Sequence, residues 1–404
     1  MPNQPDLVRR VLVDRPKDFP KSGVVRAILG DLLGDSVFVT NGETWERQRR
    51  IIDPSFEGGR LRETFNPMLD AAEEMSNRLS AQADGTPVEM EFEASHAAAD
   101  VIFRTLFSQP ITSDTARRVF SAFRRYQQAA PMLSPADLMR TPAWFPRVGP
   151  KRWLKRRAAR EIRHLLREFV EHRRREIEAG NAPCDLATAI MTTRDPVTGD
   201  MFGEREMADQ LAIFFLAGHE TSASALAWAL YLIASSPDVQ ERLYAEAAPV
   251  FASRPTLSDL RSLSFTRDVF RETLRLYPPV PMMIRETTCP EEMRDKQIPP
   301  GSPVVISPWH LGRHERIWDR PHDFDPDRWQ TEEGRRCARD AFLPFSAGPR
   351  VCTGAGFAMQ EGVLMLGMIA ARYQIRPVAN RIPVPTAQLT VRSDNGIWLT
   401  IERR

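Results

Sequence analysis

The longest apolar pattern lies near the middle of the chain. Over 203–235 apolar residues occupy nearly every helical face: Leu211 to Gly218 is almost free of polar groups, His219-Glu220-Thr221 interrupts, and Ala223 to Leu232 resumes. A helix that is apolar all round is buried in a large protein. The polar triplet in its middle must find partners or serve a function. Elsewhere the pattern is amphipathic. Residues 6–14 read as a short helix with Asp6 as its cap. Residues 60–180 read as helices, broken near Gly85-Thr86-Pro87, at Gln109-Pro110 and through the proline-rich loop 131–150. Short stretches at 284–288 and 303–307, with Pro299-Pro300-Gly301 as the turn, predict strands. Ala387–Val391 and Ile397–Ile401 flank Ser393-Asp394-Asn395-Gly396 as an expected hairpin. The expected fold class is mainly α with small β-sheets, in one domain over 1–404.

Composition narrows the function. The 404 residues are 42% hydrophobic and 27% charged, which suits a globular protein with a sizeable core. A net charge of +2 provides no bulk field for nucleic acid. The basic run 151–176 is interspersed with Glu161, Glu168, Glu171 and Glu176 and reads as a solvated helix face. Cys184, Cys289, Cys337 and Cys352 are scattered without a C-x-x-C pair, which argues against a disulfide framework or zinc site and fits a reducing compartment. The seven histidines have no H-E-x-x-H spacing. The N-terminus has no apolar signal segment, and no apolar run is long enough to span a bilayer. The expectation is a cytoplasmic protein without a transmembrane anchor.

The chemistry concentrates in Phe345-Ser346-Ala347-Gly348-Pro349-Arg350-Val351-Cys352-Thr353-Gly354-Ala355-Gly356, where one cysteine sits in a glycine-rich, proline-stiffened loop before an apolar helical run. Glycines let backbone approach a flat ligand. Amide N–H groups near a helix start stabilise negative charge, so Cys352 is expected to be a good thiolate. A hydrogen-bonded thiolate beside a flat pocket is how haem iron is held for oxygen cleavage. Arg350 supplies a cation for a haem propionate. Trp45 and Arg49, four apart on one helix face, are both donors that suit a carboxylate. Glu272 and Arg275 are i,i+3 neighbours able to form an ion pair.

The pattern Phe-x-x-Gly-x-Arg-x-Cys-x-Gly, filled by Phe345, Gly348, Arg350, Cys352 and Gly354, resembles the haem-binding loop of the cytochrome P-450 family. Ser346 replaces a glycine often found there, and Thr353 an aliphatic residue. Further motifs match in order over nearly the whole chain. Trp45-x-x-x-Arg49 resembles the helix whose pair meets a haem propionate. Ala217-Gly218-x-Glu220-Thr221 resembles the long helix crossing the distal haem face, where the acid–alcohol pair relays protons. Phe270-Arg271-Glu272-Thr273-Leu274-Arg275 resembles the Glu-x-x-Arg helix. Arg328 would be its third partner, giving a network that holds the cysteine loop.

The resemblance implies a cytochrome P-450 fold, apparently short at the N-terminus, since members usually carry two strands and a first helix before residue 6. It implies haem b (iron protoporphyrin IX) ligated by Cys352, with Arg285 as a further propionate contact. The function implied is a haem-thiolate monooxygenase that inserts one atom of O2 into a lipophilic molecule. Ile213, Phe214, Ala217, Met282, Met283, Ile284 and Leu389 would line the substrate pocket, and Gly218 would let the haem lie close. A fatty acid, a terpenoid and an aromatic all suit such a pocket. Met132, Leu133, Met139, Trp144 and Phe145 of the loop 131–150 would line an entry channel, touch a membrane surface, or simply pack on the core. No flavin- or nicotinamide-binding stretch is present, so electrons would come from a ferredoxin and its reductase, steered by Arg47, Arg50 and other arginines on the cysteine side. A peroxide-driven enzyme would not need Glu220 and Thr221, and a gas-binding haem protein would need only Cys352.

Overall fold

A computed structural model of the protein describes residues 2, 4–129 and 150–404. The loop residues Met132, Leu133, Met139, Trp144 and Phe145 fall outside the described part. Helices α1 (Pro5–Arg9), α2 (Gly23–Leu33), α3 (Gly42–Ile52), α4 (Gly58–Glu63) and α5 (Phe65–Ser80) lead to α6 (Met90–Phe107) and α7 (Asp114–Ala129). Then come α8 (Pro150–Glu178), α9 (Leu186–Thr192), α10 (Glu204–Ala234), α11 (Pro237–Val250) and α12 (Ser264–Leu276). The last third holds α13 (Pro308–Leu311), α14 (Glu332–Ala341) and α15 (Ala355–Arg372). The chain is mainly helical with small sheets.

The apolar stretch at 203–235 is α10, buried along most of its length. Its start is fixed by Glu206, whose side chain accepts the Gly203 N–H at 3.1 Å. Aromatic contacts lock it to α6 and α7: Phe215 meets Phe103 at 5.0 Å and Phe123 at 4.3 Å between ring centroids. Further along, Ser224 Oγ and Trp228 Nε1 both donate to the Val391 carbonyl, at 2.6 and 3.1 Å, which ties α10 to the C-terminal region. A second, smaller core gathers Val8, Val11, Leu12, Phe19, Val304, Ile306, Trp318 and Trp329.

The strands differ from expectation in their pairing. β2 (Met283–Glu286) and β5 (Pro303–Ile306) form the expected antiparallel pair. A short hairpin, β3 (Glu291–Met293) and β4 (Lys296–Ile298), lies between them. The expected C-terminal hairpin around Ser393–Gly396 is replaced. β7 (Pro385–Ala387) pairs with β8 (Val391–Ser393), so the turn falls at 388–390. β9 (Trp398–Arg403) instead lies between β1 (Asp84–Glu89) and β6 (Tyr373–Pro377). Burial decides this: Leu399 and Ile401 go into the main core beside Tyr373 and Ile375, where a local hairpin would leave them exposed. At the N-terminus Asp6 is not a cap. Gln4 holds that position, and a π-helical turn, Arg10–Asp14, follows α1.

Candidate haem-thiolate site

The cysteine loop closes on itself. Cys352 N–H donates to the Phe345 carbonyl at 2.9 Å, and a 3-10 turn, Gly348–Arg350, carries the chain between them. Gly348 has φ +69°, and a Cβ there would collide with the Leu12 carbonyl, so the loop docks on the N-terminal π-helical turn only through glycine. Ser346 adopts φ +63°, a left-handed conformation costly for a side-chain residue, and its Oγ is buried without a partner among the described residues. Gly354 lies against the sulfur, a Cβ there standing 3.9 Å from Cys352 Sγ.

Cys352 has accessible surface, yet the protein around it desolvates the thiol and pushes its pKa up; the Gly354 N–H, Arg49 and Lys21 pull it down without prevailing. Metal coordination itself removes the proton from a ligating thiol.

Four cations converge beside the loop. Arg285 on β2 is buried, and Lys21 bridges to it across the backbone. Arg350 lies over the Trp45 ring at 4.1 Å and donates to Asn41 Oδ1 and the Thr40 carbonyl. Arg49 reaches the Val351 carbonyl at 2.8 Å and pairs with Asp53 at 2.9 Å, which is the one carboxylate ion-paired with this group among the described residues. Burial lowers Arg285 to about 10. Burial, then Arg285 and Arg49, lowers Arg350 to about 10. Lys21 is held well below its usual range by burial and then by the three arginines. Nη1 of Arg285 and Nη1 of Arg350 are buried with no acceptor among the described residues. Buried cations with orphaned donors match a ligand carrying two carboxylates, as haem b does. Lys21 escaped the sequence reading because its neighbour Arg285 is 264 residues away and nothing local marks it.

Opposite lies α10. Within this buried helix Ala217 is exposed, while Phe214, Gly218, Thr221 and Ser222 are half-buried. Ala217 and Thr221 are one turn apart, hence on one face. Thr221 Oγ1 donates to the Ala217 carbonyl at 2.6 Å. Glu220 points elsewhere. Its Oε1 accepts from Gln127 Nε2 and from Arg392 Nη2, the latter at 3.3 Å. Burial raises its pKa, and Arg392 and then Gln127 oppose the rise. His219 is a core residue: Nε2 meets Ser95 Oγ at 2.8 Å, and burial, then Arg392, lowers it to about 3, which keeps the ring neutral.

Some expected roles shift. Gly218 has a packing role: a Cβ there would collide with Ile102 Cδ1, so this glycine brings α6 against α10. Ile213 is buried in the main core, and Met283 packs on the smaller core. Phe214 packs against Phe56 at 5.6 Å, Ile284 is half-buried, and Met282 and Leu389 are exposed. Arg47 and Arg50 are committed to internal ion pairs with Glu206 and the buried Asp195.

Glu272, Arg275 and Arg328 do come together. Arg275 grips Glu272 through two bonds of 2.9 and 2.7 Å, and Arg328 Nε reaches the same carboxylate at 2.8 Å. Trp329 Nε1 and the Asp325 N–H complete its shell, both at 3.1 Å. Each charge is thereby satisfied in the interior.

Comparison with known proteins shows the family. The cytochrome P450 family profile matches residues 1–399. A cyclooctat-9-en-7-ol 5-monooxygenase of Streptomyces melanosporofaciens is 32% identical over 380 residues, covering 93% of this chain and 79% of that protein. A pentalenene oxygenase of Streptomyces avermitilis is 30% identical over 407 residues, covering 100% and 88%. The crystal structure of the cytochrome P450DA haem domain superposes with TM-score 0.87 at 25% identity, covering 100% of this chain and 87% of that one. No described helix is long and apolar enough to cross a membrane. With a cation cluster beside a loop cysteine, and a family match along almost its whole length, the chain belongs to the cytochrome P450 family, a haem monooxygenase.

Proposed function

We propose that this monooxygenase hydroxylates or epoxidises a terpenoid, with Cys352 as the iron ligand and electrons from a separate ferredoxin and its reductase, in the cytoplasm. The observation that carries the site assignment is the convergence of Lys21, Arg49, Arg285 and Arg350 beside Cys352, with two buried Nη1 atoms lacking acceptors among the described residues. Trp45 completes the propionate side through its contact with Arg350. When bound, haem supplies dioxygen activation and oxygen-atom transfer, and thiolate ligation favours O–O cleavage.

The protein's own residues supply place and protons. Phe214 and Ala217 form the apolar wall on α10, and Met282 and Leu389 add exposed apolar surface from other elements. Thr221 caps the Ala217 carbonyl and presents a hydroxyl on the face shared with Ala217. Glu220 is an acid whose pKa is raised by burial, which makes it a proton carrier for the relay. Together they deliver the protons that dioxygen reduction consumes. The terpenoid class rests on relatives named for cyclooctat-9-en-7-ol and pentalenene.

The electron donor would meet the cysteine side at Arg60 and Arg62. Both are exposed on α4, whose Leu61 packs at Gly356.

The test is the carbon monoxide difference spectrum of the reduced protein. A far-red Soret band, absent in Cys352→Ser, is the expected result. An imidazole-type band, or a band that survives Cys352→Ser, overturns the ligand assignment. Cyclic terpenes should shift the ferric spin state where fatty acids do not. The reverse pattern overturns the substrate class.

A further inference from the structure

Two adjoining cavities, of about 330 and 530 Å³, lie where α2, α8 and the start of α10 meet. Both have Arg163 and Arg205 in their walls, Arg167 adds to the smaller, and Arg26 adds to the larger. We propose that this arginine-walled cleft is a binding site for a phosphorylated small molecule. None of its lining residues belongs to the haem or substrate positions described above, so the site does not depend on the terpenoid reading.

The charges decide the sign of the ligand. Most carboxylates around the cleft are already engaged. Asp209, buried, pairs with Arg163 at 2.6 Å and accepts the Asp35 N–H at 2.8 Å. Asp31 pairs with Arg156 at 3.1 Å, and Asp35 with Arg26 at 2.6 Å. Two cations are left over. Arg167 donates only to the Arg163 carbonyl, at 3.4 Å, and Arg205 has no hydrogen bond or ion pair among the described residues. Glu204, also in the wall, offsets one of them. The start of α10 adds to the excess: the N–H groups of Glu204 and Arg205 have no acceptor within their helix, and its 31 residues concentrate partial positive charge there. The Arg26–Asp35 pair is half-exposed and contributes little, so Arg26 is free to exchange its partner for a ligand.

Geometry selects phosphate among anions. The arginines come from three helices, and a tetrahedral group with three terminal oxygens meets donors from three directions, where a planar carboxylate suits a single fork. Phosphate also suits open N–H groups at a helix start. The α2 wall is kept open for it. Gly30 stands in the interior of α2, where glycine costs stability relative to alanine. Packing does not demand it: a Cβ there would find only Arg26 Cγ, at 3.5 Å, an ordinary contact. Gly30 lines the larger cavity, so the missing side chain leaves room for a ligand.

The test is calorimetric titration of the haem-loaded ferric protein with pyrophosphate, at an ionic strength held constant with potassium chloride. Saturable one-to-one binding is the expected result. Arg167→Gln and Arg205→Gln should each weaken it roughly tenfold, the worth of one charged hydrogen bond. Both side chains are exposed, so these variants should melt as the parent does. Arg160→Gln removes an exposed arginine of α8 outside the cleft and should leave the affinity unchanged. Absence of saturable binding overturns the site, as does an equal loss in Arg160→Gln, which would mean diffuse attraction to a basic helix. Saturation by succinate but by neither inorganic phosphate nor pyrophosphate overturns the phosphorylated ligand.

Discussion

Ser222 Oγ donates a 2.5 Å hydrogen bond to Glu361 Oε2, joining α15, which follows the cysteine loop, to the middle of α10. Glu361 is otherwise sealed in the core, its Oε1 has no partner among the described residues, and burial pushes it up to about 8, with Ser222 opposing. It therefore folds protonated. Between its ordinary 4.5 and about 8 the unfolded chain has released a proton that the folded chain keeps, so stability is full below that window and falls as pH rises through it. The full loss is on the order of 4–5 kcal/mol. Chemical denaturation at a series of pH values should show Glu361→Gln losing much less stability than the parent across the window. Parallel curves would refute the assignment.

The network around Glu272 makes the opposite prediction for charge removal. Arg275 is fully buried, and Arg328 is nearly so. Glu272→Gln would leave two guanidiniums without their counter-charge, at a cost of about 3–5 kcal/mol. Thermal melting should drop sharply at every pH, and haem should be lost with it. A change near zero would mean the backbone carbonyls of Gly312, Pro321 and Asp323, which Arg275 also binds, suffice alone.

Ser346 is the strained position of the cysteine loop. Its left-handed backbone and orphaned hydroxyl both disfavour serine. Ser346→Gly should stabilise the protein by about 1 kcal/mol, the relief of strain exceeding glycine's greater unfolded-state freedom. Melting of the haem-loaded protein reads this directly, with the carbon monoxide spectrum unchanged.

Haem retention should follow the orphaned donors. Arg285→Leu and Arg350→Leu should each speed haem transfer to an apo-globin acceptor roughly ten- to hundredfold, the worth of one charged hydrogen bond. Lys21→Met should act less, because its Nζ already donates to the Phe38 carbonyl at 2.7 Å. Arg49→Leu should act less, because Asp53 already neutralises part of its charge.

Reduction by a ferredoxin should depend on the exposed basic residues and not on the paired ones. Charge reversal at Arg60 and Arg62 should slow the first electron transfer at low salt, with the effect fading as salt rises. Charge reversal at Arg47 and Arg50 should instead lower stability, since Arg50 is bound to the buried Asp195. Slowed reduction without destabilisation in the second pair would restore them to the docking surface.

What the sequence determined by itself was local chemistry held in short order. The loop around Cys352, the i,i+4 pair Trp45 and Arg49, the i,i+3 pair Glu272 and Arg275, and the all-round apolar α10 are each legible because their spacing sets the geometry. Tertiary structure decided what distant elements contribute. Lys21 joins Arg285, and Arg392 and Gln127 reach Glu220, through contacts that no periodicity encodes. Gly218 serves Ile102 on α6, and β9 leaves its neighbour in sequence for β1 and β6. The physical reason is the same in each case. Spacing along the chain tells which side chains share a face, but which face meets which is settled by filling the core and satisfying buried charge across the whole chain.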